Sequence, residues 1–245
     1  MSILAEKLEG FRNALINAVL PQDCLLCASP SGSELLCADC LADLPQLPVT
    51  CCPRCALPSP LGEICGRCQR HPPAFDALIA AFPYAFPIDR MIQRFKYGQQ
   101  LALAGWFGRQ LAACCNRYIQ SPTPAQQMFD LIIPMPLHKN RLAERGFNQA
   151  MEISRQLSHD LAVPIANHIC TRTRDTAPQE GLSLKERRRN LKAAFACNTD
   201  LRGKHVLLVD DVVTTGASIG ECARTLRLHG AAHITVATVA RTLLD

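Results

Sequence analysis

Apolar residues along this chain fall into two patterns, short continuous runs and longer stretches in which they recur every three or four positions. Val206 to Val209 is a continuous run behind a turn marked by Gly203, and it predicts a buried parallel strand. Ile219, Cys222, Ala223 and Leu226 then recur at helical spacing, which predicts an amphipathic helix ending near Gly230. A second apolar run, Phe129 to Ile133, predicts another core strand, and the spacing of Ala150, Ile153, Leu157 and Leu161 predicts a helix capped by Asn148. Upstream, residues 76 to 86 read as strand interrupted by Pro83 and Pro87. Helices are expected over Ile88 to Tyr97 and Gln100 to Ile119, the latter with an apolar face through Leu101, Ala104, Phe107, Leu111 and Cys115. Ser121 to Ala125 reads as a loop.

Length and composition refine this picture. A chain of 245 residues supports one or two domains with a sizeable core, and 48% hydrophobic with 19% charged residues is ordinary for a globular enzyme. No run of eighteen apolar residues occurs, so no membrane span is expected. Glu6, Lys7, Glu9 and Arg12 interrupt what would have to be an apolar signal core, and residues 1–20 read as a helix of a cytoplasmic protein.

Cysteine usage changes the picture more. Nine of the fourteen cysteines fall before residue 69, and Cys24, Cys27, Cys37 and Cys40 moved by 28 positions become Cys52, Cys55, Cys65 and Cys68. Each copy is C-x2-C-x9-C-x2-C. Two thiolate pairs of this kind complete a tetrahedral four-cysteine site, so the eight cysteines predict two structural zinc ions over residues 21–70. Evenly arranged pairs argue against a redox motif, and the spacings differ from ferredoxin runs. The repeat of 28 favours sequential pairing, with crossed pairing left open. Cys51 and the scattered Cys114, Cys115, Cys170, Cys197 and Cys222 read as spectators or small core residues.

Charge is divided along the same line. Residues 1–70 carry five basic and seven acidic side chains, whereas residues 71–245 carry 21 basic and 14 acidic. The cysteine-rich segment is thus a poor candidate for strong nonspecific DNA binding, and any phosphate-facing surface is expected in the larger segment.

The candidate chemistry lies where the first strand ends. Val209, Asp210, Asp211, Val212 and Val213 lead into Thr214, Thr215, Gly216, Ala217 and Ser218 and then the helix. Backbone N–H groups and hydroxyls at such a strand-to-helix loop suit a phosphate dianion, while vicinal carboxylates suit two ribose hydroxyls and can hold Mg²⁺. The second apolar strand runs into Pro134, Met135, Pro136, Leu137 and His138, a proline-stiffened loop that reads equally as a pyrophosphate site or as an ordinary turn. Arg141 and Arg145 follow, with forked side chains that suit phosphate. Thr171 to Lys192 is polar, arginine-rich and broken by Pro178 and Gly181, as expected of a mobile flap, and Arg174 and Arg189 are its candidate phosphate contacts.

Taken together, V-D-D-V-V-T-T-G-A-S resembles the 5-phosphoribosyl 1-diphosphate (PRPP) motif of type I phosphoribosyltransferases. With the cysteine pairs, F-K-Y-G (95–98), I-P-M-P-L-H (133–138), R-x3-R-G-F-N-Q (141–149), R-T-R-D-T-x2-Q (172–179) and R-N-L-K-x2-F (189–195), the chain is similar to the competence protein F (ComF) family. The resemblance implies an α/β fold over residues 71–245, a type I phosphoribosyltransferase-like parallel sheet flanked by helices, preceded by a small N-terminal double zinc ribbon. It also implies PRPP with Mg²⁺ as ligand and a role in DNA uptake or utilisation. Two functions remain open on the sequence. One is a PRPP-binding accessory protein whose partners are single-stranded DNA or DNA-processing proteins. The other is an active transferase of nucleoside metabolism, in which Asp210 and Asp211 are catalytic and the acceptor is unidentified. A dimer is also left open.

Overall fold

The computed structural model describes residues 22–98, 100–121, 128–174 and 194–243. The N-terminal helix expected over residues 1–20, most of the Ser121 to Ala125 loop and most of the flap, including Arg189, lie outside the described residues. The chain divides into two compact units, Met1–Pro45 and Gln46–Asp245. The first cysteine set therefore belongs to the smaller unit and the second to the larger.

In the smaller unit, β1 (Gln22–Asp23) pairs antiparallel with β2 (Pro30–Gly32), and the short helix α1 (Ala38–Ala42) follows Cys37. In the larger unit, α2 (Gly66–Arg70) follows Cys65. A four-stranded sheet then contains β3 (Ala77–Pro83), β4 (Leu131–Pro134), β7 (His205–Val213) and β8 (His233–Arg241) in the order β3-β8-β7-β4, every pair parallel. The central strand β8 is a run that the periodicity reading passed over, although eight of its nine residues are buried.

Helices α3 (Ile88–Tyr97), α4 (Ala102–Gln120), α5 (Lys139–Arg145), α6 (Gln149–Leu161) and α7 (Ala217–Leu228) complete the larger unit with a separate antiparallel pair, β5 (Cys170–Arg172) and β6 (Phe195–Cys197). Side chains alternate across the sheet, so each face has its own partners. Leu131, Ile133, Val206, Leu208, Ile234 and Val236 share a core with Ile219, Cys222, Ala223 and Leu226 of α7. The fully buried Ile132, Leu207 and Val209 face the opposite way, where α4 and α6 pack. Gly108 permits that helix pair to approach, because a Cβ there would stand 2.5 Å from Gln156 Cβ.

Two expectations are corrected. Leu101 precedes α4 and is 54% exposed, so the apolar face begins instead with Leu103 and Ala104. Thr171 and Arg172, read as the start of the flap, belong to β5, where pairing with Phe195 and Ala196 takes them into a sheet.

Candidate functional site

The cysteines are gathered sequentially. Cys24, Cys27, Cys37 and Cys40 form one cluster and Cys52, Cys55, Cys65 and Cys68 another, with the four sulfurs of each within 4.8 Å of one another. Cys27 and Cys37 sulfurs are 3.7 Å apart, as are those of Cys55 and Cys65. A regular tetrahedron with zinc–sulfur bonds of about 2.3 Å has edges of about 3.8 Å, so both clusters fit Zn²⁺. Backbone donors prepare the thiolates. Burial opposes ionisation of Cys24, but the N–H groups of Cys37, Cys27 and Leu26 bring its thiol down to about 6. At Cys52 burial is likewise outweighed, by the N–H groups of Cys65, Arg54 and Cys55, which bring the thiol down to about 7.

The second site is built at the carboxyl edge of the sheet. β7 carries Val209 into Asp210 and Asp211, continues through Val212 and Val213, and gives way to Thr214 and Thr215. Gly216 then takes φ 79° as the N-cap of α7. A left-handed residue here lets the chain turn from strand to helix without a Cβ penalty. The Thr215 hydroxyl accepts from the Ala217 N–H at 3.4 Å, and Ser218 occupies the first turn of α7. That turn lacks intrahelical acceptors for its N–H groups and carries the positive end of the helix dipole.

Beside this edge, β4 delivers Pro134, whose Cα pairs with Val209, and the Met135 N–H bonds the Val209 carbonyl at 2.8 Å. The loop through Pro136 and Leu137 thus starts level with the two carboxylates. Asn148 holds it from behind, its Nδ2 donating to the Met135 carbonyl at 3.0 Å and its Oδ1 accepting from the Met151 N–H at 3.4 Å. One side chain therefore ties the proline loop to α6. His138 is a cap of α5, its Nδ1 accepting from the Asn140 N–H.

Cations converge on the carboxylates. Lys96 Nζ lies 3.0 Å from Asp211 Oδ2, with both side chains largely buried. Burial disfavours the Lys96 ammonium, yet Asp211 and, more weakly, Asp210 hold its pKa above the usual value. Burial and the adjacent Asp211 carboxylate push Asp210 up to about 7, against the pull of Lys96 and Arg172. Arg145 packs over the Tyr97 ring at 5.6 Å and donates to Gln149 Oε1 at 3.0 Å, which puts it next to Lys96. Arg141 is half-buried on α5, and Arg174 is exposed just beyond β5.

The structure therefore brings together the DD strand end, the threonine-rich loop, the proline loop and Arg145. It adds Lys96 and Arg172, which the sequence reading placed in the motifs F-K-Y-G and R-T-R-D-T-x2-Q without giving them a role at the site. Lys96 stands four residues after the buried Ile92, at the margin of the buried face of α3, and that position together with the F-K-Y-G motif is the signal that was available.

Two known domain families match the chain, and the first of them spans the boundary between the two compact units. Residues 15–69 match the double zinc ribbon domain and residues 142–243 the phosphoribosyl transferase domain. DNA utilization protein YhgH of Escherichia coli O157:H7 is 36% identical over 227 residues, covering 91% of this chain and 99% of that protein. Competence protein F of Haemophilus influenzae is 37% identical over 182 residues, covering 72% and 78% of the two chains. Competence protein ComFC of Bacillus subtilis is 24% identical over 231 residues, covering 85% and 90%.

Proposed function

Because the chain belongs to the family of competence protein F and DNA utilization protein YhgH, we propose that it binds PRPP in the cytoplasm and acts as an accessory factor in DNA uptake or utilisation. The observation that carries the ligand is the level alignment of Asp210 and Asp211 with the Pro134–Leu137 loop on one side and the Thr214–Ser218 loop on the other. Asp210 and Asp211 accept hydrogen bonds from the ribose hydroxyls, and Thr214, Thr215, Gly216, Ala217 and Ser218 surround the 5-phosphate. Pro134, Met135, Pro136 and Leu137 line the pyrophosphate end, with Arg141, Arg145, Arg174 and Arg189 as its cations. Two neighbouring carboxylates are hard oxygen donors suited to Mg²⁺, which would supply positive charge toward pyrophosphate and ribose oxygens. Single-stranded DNA is the proposed macromolecular partner, held by the basic surplus of residues 71–245.

The cations converging on the carboxylates favour a second reading, transfer of phosphoribose to an acceptor. Departure of pyrophosphate from the anomeric carbon develops positive charge on the sugar, next to Asp210 and Asp211, and negative charge on the leaving group. Lys96, Arg145 and Arg172 are the described cations nearest to meet the latter.

Calorimetric titration of the zinc-loaded protein with PRPP and Mg²⁺ tests the site. Asp210→Asn combined with Asp211→Asn is expected to weaken binding at least about 100-fold, from two lost charge-assisted hydrogen bonds, with folding retained. Undiminished affinity in that variant would remove the site assignment. Pyrophosphate release with a panel of bases and oligonucleotides separates the two readings, since binding without release supports the accessory role.

A further inference from the structure

Arg241 is the C-terminal residue of β8 and is 2% exposed. Among the described residues it has no carboxylate within ion-pair distance. Its guanidinium instead donates to main-chain carbonyls on two sides. Nε reaches the Cys55 carbonyl of the second cysteine cluster at 2.9 Å, and Nη1 reaches the carbonyls of Val213 at 3.0 Å, Thr242 at 2.9 Å and Thr214. Arg67, which lies between the ligands Cys65 and Cys68, adds Nη2 to the Thr215 carbonyl at 3.3 Å. Three consecutive carbonyls entering the threonine-rich loop are thus held by guanidinium groups anchored at one metal cluster.

Peptide geometry gives this arrangement a meaning. In a planar trans peptide the C=O and the following N–H point in opposite directions. Carbonyls of Val213, Thr214 and Thr215 drawn toward the arginines leave the N–H groups of Thr214, Thr215 and Gly216 directed away from them, as an anion-binding turn requires. A buried guanidinium without a carboxylate also needs a countercharge. Four thiolates around one Zn²⁺ carry a formal charge of about −2. Arg241 at the Cys55 carbonyl is next to that charge, and Arg67 is on the five-residue helix that carries Cys68 and is capped by Cys65. Such a short helix is not stable alone, so the position of Arg67 depends on the metal that its flanking cysteines hold. A cavity of about 670 Å³ opens beside these contacts, bounded among others by Arg67, His71, Thr215 and Arg224. Directed bonds thus join the cluster to the loop.

We propose that the second zinc ribbon is a working part of the phosphate site. Through Arg241 and Arg67, zinc at Cys52, Cys55, Cys65 and Cys68 and a phosphate ester at Thr214–Ser218 strengthen each other's binding. This coupling rests on the PRPP reading of the site, and linkage makes it reciprocal.

The test uses the full chain loaded with two zinc ions, and follows metal transfer to a zinc-selective chromophoric chelator with and without saturating PRPP and Mg²⁺, or ribose 5-phosphate alone. Two phases are expected, the faster from the more exposed first cluster. Ligand should slow the slower phase at least about fivefold and leave the faster phase unchanged. Arg67→Ala, at a half-buried surface position, and Arg241→Lys, which keeps the charge but loses the fork, should both retain two zinc ions. Each should bind PRPP about tenfold more weakly and lose the protection. Wild-type protein that binds ligand without protecting either zinc overturns the coupling alone, as does Arg67→Ala with unchanged affinity and protection. Absence of binding by PRPP and ribose 5-phosphate overturns the reading of the site, and the coupling with it.

Discussion

The two cysteine clusters share one spacing and differ in what surrounds them. In the first, only Cys24 is buried, and the cluster belongs to the small unit ending at Pro45. In the second, Cys52, Cys55 and Cys68 are buried, and the cluster's own backbone is bonded into the larger unit. The Pro53 carbonyl accepts from the Leu78 N–H of β3, and the Cys55 carbonyl accepts from Arg241. Identical ligands thus stand in a small unit of their own chain segment in one case and beneath a neighbouring loop in the other. Ligand spacing specifies the metal, while the residues between ligands specify what the metal supports.

The largest expected effect breaks this comparison at the metal. Cys55→Ser should lower the thermal midpoint of the larger unit by roughly 10 °C or more, since a structural zinc site contributes folding free energy outright. Cys27→Ser should release one zinc and leave that transition nearly in place. Calorimetry with metal analysis checks both, and equal losses from the two variants would show that the clusters support the larger unit alike.

A somewhat smaller effect is expected at the strut itself. Arg241→Met removes a buried charge together with its bonds to four carbonyls. The Val213 carbonyl keeps the Thr242 N–H as a donor, but the loss of the other bonds should cost about 3 kcal/mol, which chemical denaturation would register. Arg54, half-buried between Cys52 and Cys55, serves as the contrast, because Arg54→Met should change stability by less than about 0.5 kcal/mol.

The third effect sharpens the contrast from the carboxylate side of the larger unit. The Asp210 carboxyl is raised in the fold to about 7, so its contribution to stability is complete below the ordinary carboxylate range and is lost as pH climbs through about 7. The thermal midpoint of Asp210→Asn should therefore rise relative to wild type between about pH 5 and about pH 8. A difference that stays flat across this range would show that Asp210 is ionised throughout. Cys27→Ser is expected to leave the profile unchanged.

Much of this was legible in the sequence because local rules governed it. The cysteine repeat announced two tetrahedral sites, and the strand–DD–threonine–glycine order announced the loop and the helix after it. Asn148 announced its cap, although its bond to the Met135 carbonyl was not visible. What escaped were pairings across long stretches of chain. Lys96 meets Asp211 more than a hundred positions away, and Arg241 reaches back to Cys55, which no periodicity or motif encodes. The run at β8 was itself readable, but its place between β3 and β7 was a matter of topology.

That place has a consequence during synthesis. β8 leaves the ribosome after β3, β4 and β7, yet it is the strand that joins β3 to β7. Until it arrives, β3 has no hydrogen-bonded neighbour in the sheet, and its apolar edge is open to wrong partners. The threonine-rich loop is already translated by then but still lacks Arg241. The nascent chain thus acquires its metal ligands first and the clamp on its threonine-rich loop last, and a ribosome stalled before β8 would display loaded ribbons on an unfinished sheet.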